Sequence, residues 1–307
     1  MIKSKINFAL FIVLACLWSG SFIAIKEVVD VWPPIFSAAV RLGVALISLM
    51  LLIFCTRKNI KAPLTLRWKI WGIGFFSQAI PFSFLFWAER LVSPGLAGIL
   101  NATVSIWAFL LSLIFLPRLN TFSLLKLFGL FIGIAGITVI FWPMLKFSGN
   151  SANLLGALAV LAMAISYAIG ALLNQYFLLG KTQIDFFTNV CHQHWASFIF
   201  LLVFSLIFEK WPSLNTLIST STPWIASLYL GVCSTAIAFL IYYHLIREWD
   251  AVRASAVLYV VPVLTLIWDY LFYGYVPNTA EICGVIIILL GVIFIQLSGF
   301  RQIAKKI

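Results

Sequence analysis

Residues 7–27 read NFALFIVLACLWSGSFIAIKE, and no charged side chain appears among them before Lys26. A single α-helix needs about 20 apolar residues to cross the ~30 Å hydrocarbon core of a bilayer, and this stretch meets that length. The apolar run continues past Cys16 to Ile25, which favours a spanning helix over a cleaved lipoprotein signal. We therefore predict that the stretch crosses a membrane.

The rest of the chain has the same character. It has 307 residues, of which 63% are hydrophobic and 9% are charged, and its mean hydropathy is +1.10. A soluble domain has about 45–50% apolar and about 25% charged residues, so no sizeable soluble domain fits here. Turn and breaker residues divide the chain into apolar stretches. The ten predicted helices cover residues 7–27, 34–55, 68–88, 94–116, 122–142, 152–174, 184–208, 223–245, 251–273 and 280–299.

The basic residues are unevenly distributed between the segments that connect these helices. With the N-terminus in the cytoplasm, 15 of the 20 lysines and arginines fall on the cytoplasmic side, 4 fall on the outer side, and Arg41 lies within a helix. This bias is the positive-inside pattern of membrane proteins. It explains the net charge of +11 without a nucleic-acid partner. It predicts a multi-pass protein of the inner (plasma) membrane with both termini in the cytoplasm.

Three pairs of segments indicate that the two halves of the chain are related. In each pair the residues are similar, and the three pairs follow the same order along both halves. Equivalent residues are separated by 147, 157 and 155 positions. The pairs are LACLWS (14–19) with LAMAIS (161–166), FSQAIPF (76–82) with CSTAIAF (233–239), and Gly129 and Gly136 with Gly284 and Gly291.

This repetition predicts a duplicated five-helix unit, with one repeat in residues 1–147 and the other in residues 148–307. Because five is odd, the second copy starts on the opposite side of the membrane. Two inverted copies around a central site form the architecture that many secondary transporters use for alternating access. The predicted fold class is therefore an all-α integral membrane protein of ten transmembrane helices, arranged as two inverted five-helix repeats.

Several motifs in this order resemble those of the EamA-type proteins of the drug/metabolite transporter superfamily. The resemblance covers essentially the whole chain. The motifs are WSGSFIAIK (18–26), Pro33-Pro34 followed by Phe36 and Arg41, Asn101-Ala102-Thr103, YVVPV (259–263), and the segment from Gly284 to Gly291.

The resemblance implies ten helices, cytoplasmic termini, and movement, commonly export, of amino acids or similar metabolites. It also implies a site built by helices 1, 3, 4, 6, 8 and 9. The chain departs from the family pattern at Ser105, where relatives usually carry proline. It also has Pro117-Arg118 and Gly274-Tyr275 where relatives often carry an acidic residue, which puts ion coupling in question.

Charged residues inside a membrane are costly and need a reason. Arg41 either binds an anionic group such as a substrate carboxylate or forms a structural ion pair. Asp269 either couples transport to a proton or cation or pairs with a basic partner. Lys26 either gates the outer mouth or extends to the surface water.

Polar and aromatic groups are expected in the central site, because a polar side chain there cannot be satisfied by lipid. By the repeat, His194 or Gln193 takes the place of Arg41, so His194 joins the candidates. Most of the 28 Phe, 12 Trp and 9 Tyr must instead face lipid or the interface. The remaining predicted substrate-binding residues are Trp18, Gln78, Asn101, Tyr167 and Tyr259.

Two other features concern packing and chemistry. Gly129-x-x-x-Gly133 predicts a close helix contact, within one half or between protomers. The chain lacks His-Glu-x-x-His, Gly-x-Ser-x-Gly and Walker motifs, and its cysteines show no paired spacing. We therefore expect no enzyme activity, no catalytic residue, no cofactor and no metal.

The sequence thus favours a secondary transporter of amino acids or related amphipathic metabolites, acting as an exporter or exchanger by alternating access. The expected partners are a small-molecule substrate and membrane lipid, in a monomer or weak dimer, with transport either proton-coupled or facilitated. The alternatives are a transporter of nucleotide-sugars, cationic drugs or a lipid-linked intermediate, and a membrane-embedded enzyme.

Overall fold

The computed structural model describes residues 2–115, 124–146, 151–178, 184–249, 254 and 256–303. The regular secondary structure of these residues is helical, and a short helix, Leu214–Ser219, joins two of the long ones. The ten long helices are α1 (Ile2–Val29), α2 (Pro34–Thr56), α3 (Leu64–Ala88), α4 (Pro94–Phe115), α5 (Leu124–Lys146), α6 (Ser151–Phe177), α7 (Phe186–Phe208), α8 (Thr222–Trp249), α9 (Val257–Tyr273) and α10 (Thr279–Ile303).

Each predicted span corresponds to one of these helices, with ends displaced by a few residues. The helices α1 to α8 are long and apolar enough to cross a membrane, and α9 and the apolar part of α10 (Thr279–Ile295) are shorter apolar helices. Large apolar side chains point outward, as in Phe54, which is 83% exposed, and Phe208, which is 73% exposed. Such a surface is stable in lipid and not in water.

The two halves are packed against one another by symmetric sets of contacts. Helix α1 contacts α8 and α9 of the other half, and correspondingly α6 contacts α3 and α4. Helix α2 contacts α8 while its counterpart α7 contacts α3, and the pairs α2–α7, α4–α9 and α5–α10 contact each other directly. Exchanging the halves leaves this contact pattern unchanged, which confirms the repeat.

The ends of α2 and α7 show that these equivalent helices run in opposite directions. Glu209, directly after the C-terminus of α7, accepts hydrogen bonds from the backbone N–H groups of Ile35 (2.8 Å) and Phe36 (2.7 Å) at the N-terminus of α2. At the other end Lys58, after α2, pairs with Asp185, the N-cap of α7. The copies are therefore inverted, as predicted.

The glycines of α5 bring the halves into close contact. A Cβ atom added to Gly129 would lie 2.5 Å from the carbonyl oxygen of Gly291, and one on Gly136 would lie 3.0 Å from that of Gly284. Gly133 lies at the same contact, since a Cβ atom on Gly291 would lie 2.6 Å from its backbone nitrogen, and its own Cβ position faces Ile106. The predicted close helix contact is present, but it joins the two halves of one chain.

Three helices contain irregular segments that the sequence analysis did not predict. Helix α3 is π-helical over Phe75–Ala79, and α8 is π-helical over Tyr229–Ile237. Helix α4 is interrupted after Asn101, where Thr103 donates its backbone N–H to Leu100. A π-helical turn is rare and often marks a functional site. The two π segments contain the equivalent motifs FSQA and CSTA.

Candidate functional site

Arg41 lies buried in α2, with 6% of its surface exposed. Its Nε atom donates to the hydroxyl oxygen of Thr235 at 3.1 Å, and one terminal nitrogen lies 3.4 Å from the hydroxyl of Ser234. The guanidinium carbon sits 4.4 Å from the ring centre of Phe82. Among the described residues no carboxylate lies within ion-pair distance of this guanidinium. Arg41 is therefore a buried cation held only by neutral groups.

Gln78 and His194 form the corresponding contact in the other pair of helices. Both are buried, and the Gln78 amide nitrogen is 3.2 Å from Nδ1 of His194. The same Nδ1 is 2.8 Å from the carbonyl oxygen of Val190, which can only accept, so Nδ1 carries a hydrogen. An amide that turns its oxygen toward this N–H gives the hydrogen a second acceptor and leaves the amide nitrogen in the position that has no partner among the described residues.

The two contacts are related by the internal symmetry. Gln78 and Thr235 are equivalent residues of the two π segments, and His194 or its neighbour Gln193, which binds Ser77, takes the place of Arg41 in α7. In each contact a residue of α2 or α7 meets the π segment of the other half. The π segments thus turn polar side chains toward the boundary between the halves.

An aromatic wall continues from this polar pair. Tyr167 of α6 packs edge-on against Phe82, with ring centres 6.4 Å apart. On the opposite side Phe239 contacts both His194 (5.5 Å) and Trp18 (6.3 Å). The structure therefore brings together five of the predicted residues, namely Arg41, Gln78, Tyr167, His194 and Trp18. The cluster therefore contains the Arg41 guanidinium, the Gln78 amide and the His194 ring, bordered by aromatic side chains.

Two predicted binding residues make no hydrogen bond or ring contact with this cluster among the described residues. Asn101 is half-buried and ends the first segment of α4. Tyr259 lies on α9, packed against the main core, and its buried hydroxyl has no hydrogen-bond partner among the described residues. Their role in binding stays a prediction.

Asp269 and Lys26 lie toward one end of the bundle. The Asp269 Oδ2 atom accepts the backbone N–H of Gly95 at 2.7 Å, so this carboxylate caps the N-terminus of α4 from the other half. Lys26 pairs with Asp30 at 2.9 Å and donates to the carbonyl oxygen of Glu89 at 3.1 Å. Both residues therefore have structural partners beside any role in coupling or gating.

Sequence reasoning missed Glu89 at this end. It follows α3 directly, and a charged residue at a helix end is usually exposed, yet its exposure is 0%. Neither carboxylate oxygen has a hydrogen-bond partner among the described residues. No local signal distinguishes it from an interfacial residue, because the helices that bury it are distant in sequence.

Sequence reasoning also missed a buried polar network between α3, α6 and α7. The Ser77 hydroxyl donates to Gln193 (2.8 Å), which donates to Asn189 (2.9 Å), which donates to Asn174 (3.2 Å). These bonds fix α7 beside the π segment of α3. The network positions His194, the neighbour of Gln193, and is separate from the aromatic wall.

An apolar groove of about 530 Å³ lies elsewhere, on the outward face of α2 and α7. Its walls include Ile47, which is 64% exposed, so the groove opens toward the lipid. Its lining contains no charged side chain, and its side chains are apolar apart from the indole N–H of Trp195. Its lining residues are Gly43, Leu46, Ile47, Met50, Leu51, Phe54, Trp195 and Phe198.

Known proteins share this chain's architecture over nearly its full length. The chain is 26% identical to the uncharacterized inner membrane transporter YedA of Escherichia coli, over 98% of this chain and 92% of YedA. It is 28% identical to the uncharacterized transporter YoaV of Bacillus subtilis (83% and 84%) and 25% identical to protein PagO of Salmonella typhimurium (92% and 90%). A crystal structure with 17% identity superimposes with a TM-score of 0.63, covering 97% of this chain and 99% of the other, which supports the fold.

The model of the EamA-like transporter family matches twice, over residues 6–142 and 154–297. The two matches fall one on each half of the bundle and together include every residue of the central cluster. The chain belongs to the EamA-like transporter family of the drug/metabolite transporter superfamily, and it is a multi-pass membrane transporter.

Proposed function

We propose that this transporter moves small metabolites that carry a carboxylate, most simply amino acids, and that Arg41 binds that carboxylate. The observation that carries the proposal is the buried guanidinium with only neutral partners among the described residues. Removing a charge from water is costly unless a counter-charge compensates it. A substrate carboxylate supplies that counter-charge when it enters.

The groups around Arg41 suit an amphipathic substrate. The guanidinium offers paired N–H donors that match the geometry of a carboxylate. Aromatic faces can cover an apolar side chain or a substrate ammonium group. The buried cation opposes the alternative of cationic drugs, whereas nucleotide-sugars and lipid-linked intermediates carry anionic phosphates and belong in the substrate panel.

The transport cycle follows from the inverted halves. The central cluster lies on the boundary between them, so rocking one half against the other exposes it to either side in turn. We assign the protein to the inner (plasma) membrane, as an exporter or exchanger, with both termini in the cytoplasm and the repeat boundary between residues 147 and 148. No chemical conversion of the substrate is part of this proposal.

The experiment is exchange in liposomes. Purified protein is reconstituted with a high internal concentration of unlabelled compound, and uptake of the labelled compound is followed without any ion gradient. The panel contains amino acids, their decarboxylated amines, a nucleotide-sugar and a cationic dye. Exchange of amino acids, absent with the amines and in empty liposomes, supports the proposal. Exchange of amines or dye alone overturns it.

Orientation is tested separately by labelling. In a background without the five native cysteines, Asn59→Cys in the α2–α3 connection and Val276→Cys in the α9–α10 connection are treated with an impermeant thiol reagent on intact cells. Both positions are exposed. We expect labelling at position 276 only. Labelling at position 59 only reverses the proposed orientation.

A further inference from the structure

We propose that Glu89 is the proton-binding acid of the transport cycle, with Lys26 as the partner of its ionised form. This inference rests on the proposed function, because it names the group that couples transport to a proton. It gives the coupling role to a residue other than Asp269.

The Glu89 carboxyl group is fully buried, and neither oxygen meets a hydrogen-bond donor among the described residues. An ionised carboxylate without donors in an apolar environment is so unfavourable that the group takes up a proton instead. The observed conformation therefore fits the neutral acid.

The Lys26 amine lies beside the main chain of Glu89. Its Nζ atom touches the main-chain oxygen of Glu89 at 3.1 Å and the Asp30 carboxylate at 2.9 Å. The amine is thus occupied by Asp30 while standing beside Glu89. A rotation of the lysine side chain exchanges one carboxylate for the other, so ionised Glu89 has a cation within reach.

Several other charged groups lie within electrostatic range of Glu89. They are Lys26 of α1, Asp30 directly after α1, Arg41 of α2 and Asp269 of α9, and Tyr273 of α9 also interacts with Glu89. Arg90, next in the chain, is exposed, and α4 and α6 contribute no Asp, Glu, Lys, Arg or His. Glu89 therefore lies in electrostatic contact with both the Arg41 site and the outer carboxylates.

Asp269 differs from Glu89 in a way that separates their roles. Its Oδ2 atom accepts the N–H of Gly95, and a helix N-terminus favours the ionised form of a carboxylate. Asp269 thus has a backbone donor for one carboxylate oxygen, which Glu89 lacks, while its Oδ1 atom has no hydrogen-bond partner among the described residues. Glu89 releases its proton to water on one side of the membrane when Lys26 pairs with it. It takes up a proton from water on the other side of the membrane later in the cycle.

The test uses liposomes with the membrane potential held at zero. If one proton moves with each substrate molecule, a gradient of one pH unit drives about tenfold accumulation of substrate, since one pH unit corresponds to about 1.36 kcal/mol. We expect this accumulation in the wild type and its loss in Glu89→Gln, which mimics the protonated acid and keeps gradient-free exchange. Lys26→Met should behave in the same way. Glu27→Gln, a carboxylate at the same end hydrogen-bonded to Tyr273, should keep the gradient response.

A second readout does not require transport. Infrared spectra of the purified protein should contain the carbonyl band of a buried protonated carboxylic acid, absent in Glu89→Gln and retained in Asp269→Asn. Loss of the band in Asp269→Asn alone places the proton on Asp269 and overturns the inference.

The outcomes also separate this inference from the proposed function. Wild-type exchange without a gradient response, or a gradient response that survives Glu89→Gln, overturns the role of Glu89 and leaves amino acid transport standing. Absence of exchange in the wild type overturns the proposed function, and the infrared band then decides whether Glu89 carries a proton.

Discussion

The hydroxyl of Thr235 accepts a hydrogen bond from Nε of Arg41 at 3.1 Å and donates its own proton to the carbonyl oxygen of Leu230 at 2.7 Å. Because the proton is committed to Leu230, a lone pair of the hydroxyl is fixed toward the guanidinium. The carbonyl lies five residues back along the chain, within the π segment of α8. One irregular turn therefore orients the group that holds the buried cation in the absence of substrate.

Thr235→Val should destabilise the protein, because it removes this acceptor without changing the shape of the side chain. A hydrogen bond to a charged group is worth about 1.5–3 kcal/mol. Thr235→Ser, which keeps the hydroxyl, is the matched control and should stay near the wild type. The measurement is the thermal unfolding midpoint in detergent. Equal midpoints for the Val and Ser variants would show that the bond contributes nothing.

Arg41→Gln should weaken exchange of amino acids while leaving the protein folded, because an amide replaces the cation that binds the carboxylate. Loss of a charge-assisted hydrogen bond of about 1.5–3 kcal/mol corresponds to a roughly tenfold or greater loss of affinity. Arg41→Lys keeps the charge but loses the paired donors, so it should retain only part of the affinity. The half-saturating substrate concentration in the exchange assay should be lowest for the wild type, higher for Arg41→Lys and highest for Arg41→Gln. Wild-type affinity in Arg41→Gln contradicts the proposed role.

Gly129→Ala should destabilise the contact between α5 and α10. The new methyl group would lie 2.5 Å from the carbonyl oxygen of Gly291, and overpacking of this kind costs about 1–3 kcal/mol. Gly72→Ala in α3 is the control, because no atom lies within 4 Å of its added methyl. Alanine favours a helix over glycine by roughly 1 kcal/mol, so this variant should be as stable as the wild type or more. If both variants lost the same amount of stability, the close contact with Gly291 would not explain the loss.

Ionisation of Asp185 should make the stability of the folded protein depend on pH in the acid range. Partial burial would raise the pKa of its carboxyl, but hydrogen bonds from Lys58 and Thr188 outweigh burial and hold the pKa below its usual value. Because the folded pKa lies below the unfolded one, the stabilisation is complete above the usual range near about 4 and disappears as pH falls through the folded pKa. Asp185→Asn keeps a capping oxygen without this titration.

Thermal midpoints of the wild type and Asp185→Asn, measured from neutral to acid pH, check this prediction. The wild type should exceed the variant at neutral pH, and the difference should shrink as the solution becomes acidic. A difference that stays constant over the whole range would mean that the Lys58 pair does not depend on the charge of Asp185.

The sequence predicts the helices and the repeat well, because apolar length and duplicated motifs are local signals. It also draws attention to Arg41, Gln78 and His194, since a polar group within an apolar span needs a partner, and their role in binding stays a prediction. It does not reveal what these groups touch. Thr235 lies 194 residues from Arg41, and only the folded halves bring them together.

The carboxylates at the helix ends show the same limit. Glu209 lies 174 residues from its partner Ile35, and nothing near either residue indicates that one caps the other. Glu89 appears interfacial in the sequence and is buried in the fold. Burial at a helix end depends on which neighbours cover it, and that is a property of the tertiary structure.

The paired π segments also keep the two halves alike at their boundary. Each adds a residue to a helical turn, and such turns are rare, yet Phe75–Ala79 and Tyr229–Ile237 carry them at equivalent places in the two copies. Deleting one residue from either segment would therefore rotate the polar side chains of one copy away from the boundary and leave the other copy unmatched.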